Sequence, residues 1–504
     1  MRELLDSLGV DYLLVNSTNK YLCEYSELSE NARYTLTGFS GSTGDALITK
    51  DKIYLFVDGR YHTQADNEVN ENVTVVKLGL GQKQDDEICK LILPNKTLGI
   101  VSKKISQLRL EKFSGIKVKL LETDPINDYT EPHSISHEKA FEEKDFRPEA
   151  TFVSNLEEVS YITGLRDFSK QYSSKIWNKM FLEFSEKKIF ANDKECEDFL
   201  KNYDGKIIVD KSSINAHDYA LIKNPVTKSS QIKKMKSIKS EEELKAYKDA
   251  FEKTDKAVRA IRDFIENNEN LSEYDISSRL EKEFYKYGAK SLSFKSIVAI
   301  NKNSALAHYS NCSKDVILKN GDLVLIDCGA YYHSGLATDI TRVFVKGEPN
   351  ELQKKVYTYV LKAFLNCYNY SKNCEENEFY SEVNSQNTGI TGYEIDSYAH
   401  TILDNAVPGF VFSHGLGHGI GISVHEAPPN LSQNEVAKEK IEDGMCFTIE
   451  PGLYNPEYFG VRLENSCYRM GGKTHSFVKI GYEDKLINYE LLNSQEREWL
   501  KEFM

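Results

Sequence analysis

The sequence predicts a multidomain protein in which two smaller α/β domains, residues 1–125 and 126–228, precede a larger α+β domain, residues 229–504. Three observations lead there. A chain of 504 residues is too long for one ordinary core. Its first quarter alternates short apolar runs with helix-like segments, punctuated by Gly, Asn and Asp. From about residue 240 two long helical periodicities come first and strand-like runs follow.

In order along the chain, the first domain has candidate strands at Tyr12–Val15, Asp45–Thr49, Ile53–Val57, Thr74–Leu78, Leu98–Val101 and Val118–Leu121. The second has a weaker pattern, with strands near Lys188–Ala191 and Lys206–Val209, and PVTKSS (225–230) reads as a connector. The third opens on Ser240 and Glu243, an S-x-x-E capping box that starts a helix. Leu244, Tyr247, Phe251, Val258, Ile261 and Ile265 follow at helical spacing. A second helix is expected from Ser272 to Tyr287, stopped by Gly288. Two more are expected near 350–370 and 392–406.

Composition narrows the function. The formal charge of −13 argues against nucleic acid as a partner, because phosphate binding needs basic patches. Nine scattered cysteines without a Cys-x-x-Cys pair fit a reducing compartment and no structural zinc site. The N-terminus has no apolar core of signal length, and no run reaches the roughly 18 apolar residues of a membrane span. A cytoplasmic protein with no membrane partner is expected.

The chemistry sits in LVLIDCGAYYHSGLATDITR (323–342). Asp327 ends an apolar strand, and Asp339 lies just past a turn on the expected returning strand. Acids are depleted in strands and costly to bury. His418, Glu450 and Glu464 occur later, each in Gly-rich or apolar sequence. A single strand-end acid is usually a turn or cap residue, and a lone His is usually structural. The joint pattern is different, because such acids recur within one domain. A helical His-x-x-x-His zinc motif at 414–418 fails, since Gly dominates HGLGHG and position 415 is not Glu. Without cations, four converging carboxylates would repel one another and their pKa values would rise. Two divalent ions balance four carboxylates, and hard oxygens with one imidazole suit Mn²⁺, Co²⁺, Fe²⁺ or Zn²⁺. Two ions about 3.5–4 Å apart would bring the pKa of a shared water toward ~7. The expected activity is that of a dinuclear metallohydrolase.

With DITR, HGLGHGIG, VHEAPP, TIEPGLY and VRLEN around them, these residues resemble the pita-bread metallopeptidases, which include methionine aminopeptidase, prolidase and aminopeptidase P. TGFSGSTGDALIT (37–49), VDGRYHTQA (57–65), LEEVSYITGLRD (156–167) and the tail 485–504 are similar to the three-domain long form of aminopeptidase P. The resemblance implies a C-terminal pita-bread catalytic domain. It also implies removal of the N-terminal residue from peptides with proline second, and a homodimer through the catalytic domain. Manganese is the metal it favours. By that resemblance Asp327 and Asp339 bind one ion, His418 and Glu450 complete the second set, and Asp339 and Glu464 bridge. Glu450 is also the general base. His308, His414 and His425 face the substrate, the last two at the scissile carbonyl, and Arg462 stands beside the last ligand. The alternatives are an Xaa-Pro dipeptidase of the prolidase type and a non-catalytic pita-bread module that binds peptides. One departure stands out: twelve positions separate the two aspartates where the family usually has eleven. A β-bulge in the hairpin is the expected means of absorbing the extra residue.

Overall fold

A computed structural model describes residues 1–79, 81–129, 132–309, 311–372 and 389–504. The chain divides into two compact units: residues 1–167 with 175–232, and residues 168–174 with 233–504.

The first unit contains two separate sheets. The first is built from β1 (Tyr12–Val15), β2 (Asp45–Ile48), β3 (Ile53–Val57), β4 (Val73–Lys77), β5 (Thr97–Val101) and β6 (Lys117–Leu121), in the order β4-β3-β2-β1-β5-β6. All six expected strands occur, shifted by at most one residue. Period-2 alternation sends Leu13, Ala46 and Leu55 to one face and Leu14, Leu47 and Phe56 to the other. Both faces are therefore buried. The second sheet has five strands, with Thr151–Val153 at its centre and Pro225–Thr227 at one edge. Its own core includes Phe152, Phe181, Phe190 and Leu200. Two expectations are corrected here. Residues 225–227 are not a connector but an edge strand parallel to Ile207–Val209, a place that tolerates proline because one side needs no donor. The strand expected at 188–191 lies at Glu186–Ile189, because a tight turn pairs Glu183 with Glu186 and fixes the register.

The second unit opens as expected. Capping boxes at Ser240/Glu243 and Ser272/Asp275 start helices Glu241–Asn267 and Glu273–Lys286. All six apolar positions anticipated on the first of these helices are buried. Gly288 follows the second helix at φ +90°, which only glycine adopts at little cost. Helices Glu351–Lys372 and Gly392–Leu403 also form; the first is buried at most positions and packs into the main core. Around these helices lie short antiparallel sheets. Ile297–Ile300, Leu323–Cys328 and Ile340–Val345 make one; Cys446–Ile449, Asn465–Met470 and Lys473–Ser476 make another; Gly452–Tyr454 pairs with Gly460–Arg462. Among the described residues no helix is long and apolar enough to cross a membrane.

Candidate metal centre

The hairpin that carries the two aspartates has no bulge. Leu323 pairs with Val345, Asp327 with Thr341 and Cys328 with Ile340, and the same register continues to a bridge between Tyr331 and Ala337. The extra residue is taken up at the tip, where Gly335 turns with φ +64°. An unbroken register keeps Asp327, Thr341 and Asp339 on one face, so both carboxylates stay together.

His418 and Glu450 arrive by a second pairing. Residues 416–420 run antiparallel to 446–450: Glu450 donates its N–H to the Leu416 carbonyl (2.8 Å), and Ile420 donates to that of Cys446 (3.1 Å). This approach requires glycine at 417, where a Cβ would stand 2.2 Å from the Thr448 carbonyl oxygen. Glu464 lies in the link between strands Gly460–Arg462 and Asn465–Met470. Its N–H binds the Thr341 carbonyl (3.2 Å) and its carboxylate accepts from the Thr341 hydroxyl (2.8 Å). Arg342, buried beside it, donates to the Glu464 carbonyl (2.7 Å) and to that of Ile480 (2.7 Å).

The five anticipated ligands thus meet. Ligand atoms of Asp339, His418 and Glu464 lie within 4.8 Å of one another. His418 Nε2 is 3.5 Å from Asp339 and 3.4 Å from Glu450. Arg462 donates to Asp327 (2.6 Å) and sits 4.0 Å from Glu450. His418 Nδ1 lies 3.1 Å from the Gly419 carbonyl, which can only accept, so the ring hydrogen is on Nδ1. The Nε2 lone pair then points at two carboxylates. A cation between them, or a second proton on the ring, satisfies that contact.

Electrostatics lead to the same conclusion. Burial lifts Asp339 and Glu464 well above the ordinary carboxylate range, and repulsion from neighbouring carboxylates adds to it. Glu450 is raised to about 7, by burial first and then by Asp327, against the pull of Arg462. One guanidinium against four ionised carboxylates leaves three negative charges in a buried pocket. Among the described residues Asp327 Oδ1 and Glu464 Oε1 are buried without a hydrogen-bond partner, and such oxygens are costly unless something coordinates them. The donor set therefore fits two divalent cations.

Of the anticipated substrate residues, His425 and His414 are linked to this cluster. His425 stands edge-on to His418, ring centroids 4.3 Å apart. His414 Nδ1 donates to the Gly415 carbonyl (2.8 Å), and Nε2 is 2.7 Å from the Tyr454 hydroxyl, which also accepts from Arg462 (2.8 Å). His308 is half-buried in the segment after Ile297–Ile300. Its segment is docked by Ser304, which donates to the Gly460 carbonyl (2.9 Å) and accepts from Gly460 N–H (2.8 Å), two residues from Arg462. Sequence reasoning gave no role to Tyr454, Thr341 or Thr448. Each stood inside a recognised motif, which was the one available signal. Thr448 accepts from the His418 N–H (3.1 Å) and donates to Glu450 (3.3 Å), so it couples the two ligands.

Comparison with known proteins is consistent with this geometry. Residues 245–468 match the model of metallopeptidase family M24, and residues 1–127 match the creatinase/prolidase N-terminal domain. Xaa-Pro aminopeptidase 1 of Dictyostelium discoideum is 28% identical over the whole of this chain and 91% of its own length. An Xaa-Pro dipeptidase of Pyrococcus horikoshii is 38% identical over 47% of this chain and 60% of its own. The crystal structure of an X-prolyl aminopeptidase from Caenorhabditis elegans, described as a cytosolic enzyme with a dinuclear active site, superposes with a TM-score of 0.85 at 19% identity. It covers 98% of this chain and 90% of that one, so the fold is shared along almost the full length. The chain therefore carries a pita-bread catalytic domain of metallopeptidase family M24 at residues 245–468 and an N-terminal domain of the creatinase/prolidase type at residues 1–127.

Proposed function

We infer that this enzyme, a metal-dependent hydrolase, is an Xaa-Pro aminopeptidase that removes the N-terminal residue from peptides with proline in second position. The observation that carries the reading is the meeting of four carboxylates and His418 in one buried pocket, in a chain similar along its whole length to such aminopeptidases. A bond to proline is a tertiary amide with no N–H, which defeats peptidases that grip that donor. Asp327, Asp339, His418, Glu450 and Glu464 would hold two divalent ions, of which manganese is our first choice; zinc, cobalt and iron suit the same donors. When bound, the ions supply Lewis acidity toward the scissile carbonyl and toward water.

The protein's own residues do the rest. Glu450 accepts the proton of the attacking water, and His308, His414 and His425 face the substrate, the last two at the scissile carbonyl. Arg462 holds Asp327 and Tyr454 in place. Three domains, 1–125, 126–228 and 229–504, are part of this reading, supported by the separate sheets and cores of the first unit. So are a cytoplasmic location and a homodimer through the catalytic domain.

Elemental analysis followed by assay of an Arg-Pro-Pro peptide tests the proposal. Activity should vanish on chelation and return with Mn²⁺. A fully loaded protein without turnover would leave only the peptide-binding alternative. The prolidase alternative is favoured by the stronger local identity to a dipeptidase. It predicts cleavage of Xaa-Pro dipeptides, whereas we expect Xaa-Pro-Xaa tripeptides to be cut and dipeptides left intact. Separately, His308→Ala should lower kcat/KM by about 10²–10³ with unchanged metal content. Loss of metal in that variant would make His308 a ligand and contradict our assignment.

A further inference from the structure

Glu273 is completely buried at the start of helix Glu273–Lys286 and has no ion-pair partner among the described residues. Each of its oxygens accepts two hydrogen bonds instead. Oε1 takes Ile300 N–H (2.8 Å) and Asn303 Nδ2 (2.9 Å); Oε2 takes the Tyr309 hydroxyl (2.6 Å) and Ser313 N–H (3.0 Å). A carboxylate has about four acceptor sites, and all four are filled. The donors are not scattered: all four come from residues 300–313, the segment that contains His308. They grip its start, its middle and its end. The far end is secured again by backbone bonds, Tyr274 N–H to Ser313 (3.1 Å) and Leu318 N–H to Leu271 (2.8 Å). The near side is pinned to Gly460 through Ser304.

We propose that Glu273 is a positioning residue for the reaction: it holds Ile300, Asn303, Tyr309 and Ser313 in place and through them sets the placement of His308. This rests on the substrate-facing role given to His308 above. Chemistry narrows the choice at 273 to a carboxylate. Glutamine would aim an NH₂ group at donors that need an acceptor, and so release two of the four bonds. The helix start would survive, because its cap is the independent pair Ser272 and Asp275.

The test is a double-mutant cycle on the metal-loaded enzyme with an Xaa-Pro-Xaa tripeptide. Glu273→Gln should lower kcat/KM by about 10²-fold, the scale of an ångström of misplacement, with wild-type metal content and circular dichroism. In a His308→Ala background the same substitution should change kcat/KM by less than about threefold, because coupled residues are not additive. Equal effects in both backgrounds, or no effect in the wild type, overturn the proposal while leaving His308 its role. A fully active His308→Ala enzyme removes the role of His308, and the proposal with it. If Glu273→Gln does not fold, Asn303→Ala, which deletes a single donor, is carried through the same cycle and decided on the same criterion.

Discussion

Replacing Glu450 by Gln is expected to leave a folded protein whose kcat is lower by at least about 10³, toward the upper part of the range for loss of a general base. Two features of Glu450 produce this. Its carboxylate is the group that takes the proton of the attacking water, a role an amide cannot fill. It also stands 3.4 Å from His418 and 4.0 Å from Arg462, between a ligand and the cation that holds Asp327. Glutamine keeps the shape and the bond from Thr448 but can neither accept the proton nor supply a negative charge. Kinetics and elemental analysis together separate the two losses. A fall in kcat with one ion lost would mean the ligand role dominates; a fall with both ions retained would isolate the base. Near-normal kcat would refute both.

The parts of this molecule that the sequence disclosed are those written locally. The capping box at Ser240, the helical spacing from Leu244 to Ile265, the helix stop at Gly288 and an acid closing an apolar run at Asp327 each need only a few neighbouring residues to be read. The hairpin was read correctly in kind and wrongly in detail. One extra residue suggested a bulge, but a ladder with so many apolar pairs holds its register, and the turn at Gly335 lengthened instead. Tyr454 escaped because its role depends on Arg462 and His414, which reach its hydroxyl from different strands and loops. Glu273 and Glu426 escaped for a stronger reason: a buried carboxylate is explained by partners that no period or spacing announces. For Glu426 the lysine partner is 187 positions away.

That lysine partnership sets the largest stability effect we expect. Glu426, next to His425, is buried with Lys236 (3.3 Å) and Lys239 (2.9 Å), both buried as well, and accepts from Ile422 N–H (2.9 Å). It thereby ties the turn carrying His425 to the segment just ahead of helix Glu241–Asn267. Glu426→Gln keeps the bond to Ile422 but removes the negative charge that faces two buried ammonium groups, at a cost of about 3–5 kcal/mol. For a unit of this size that lowers Tm by about 10 °C. Lys236→Met should cost less, because Lys239 still neutralises the carboxylate. The pH dependence follows from the direction of the shift. Burial alone would raise the carboxyl, but the two lysines outweigh it and hold it at about 2, below its ordinary 4.5. A depressed folded-state value contributes stability that is complete above the unfolded value and is lost as pH falls toward the folded one. The gap in Tm between wild type and Glu426→Gln should therefore be constant from pH 7 to 5 and narrow steadily from about 4.5 downward. A gap unchanged at pH 3 would mean that the carboxylate charge is not what stabilises this turn.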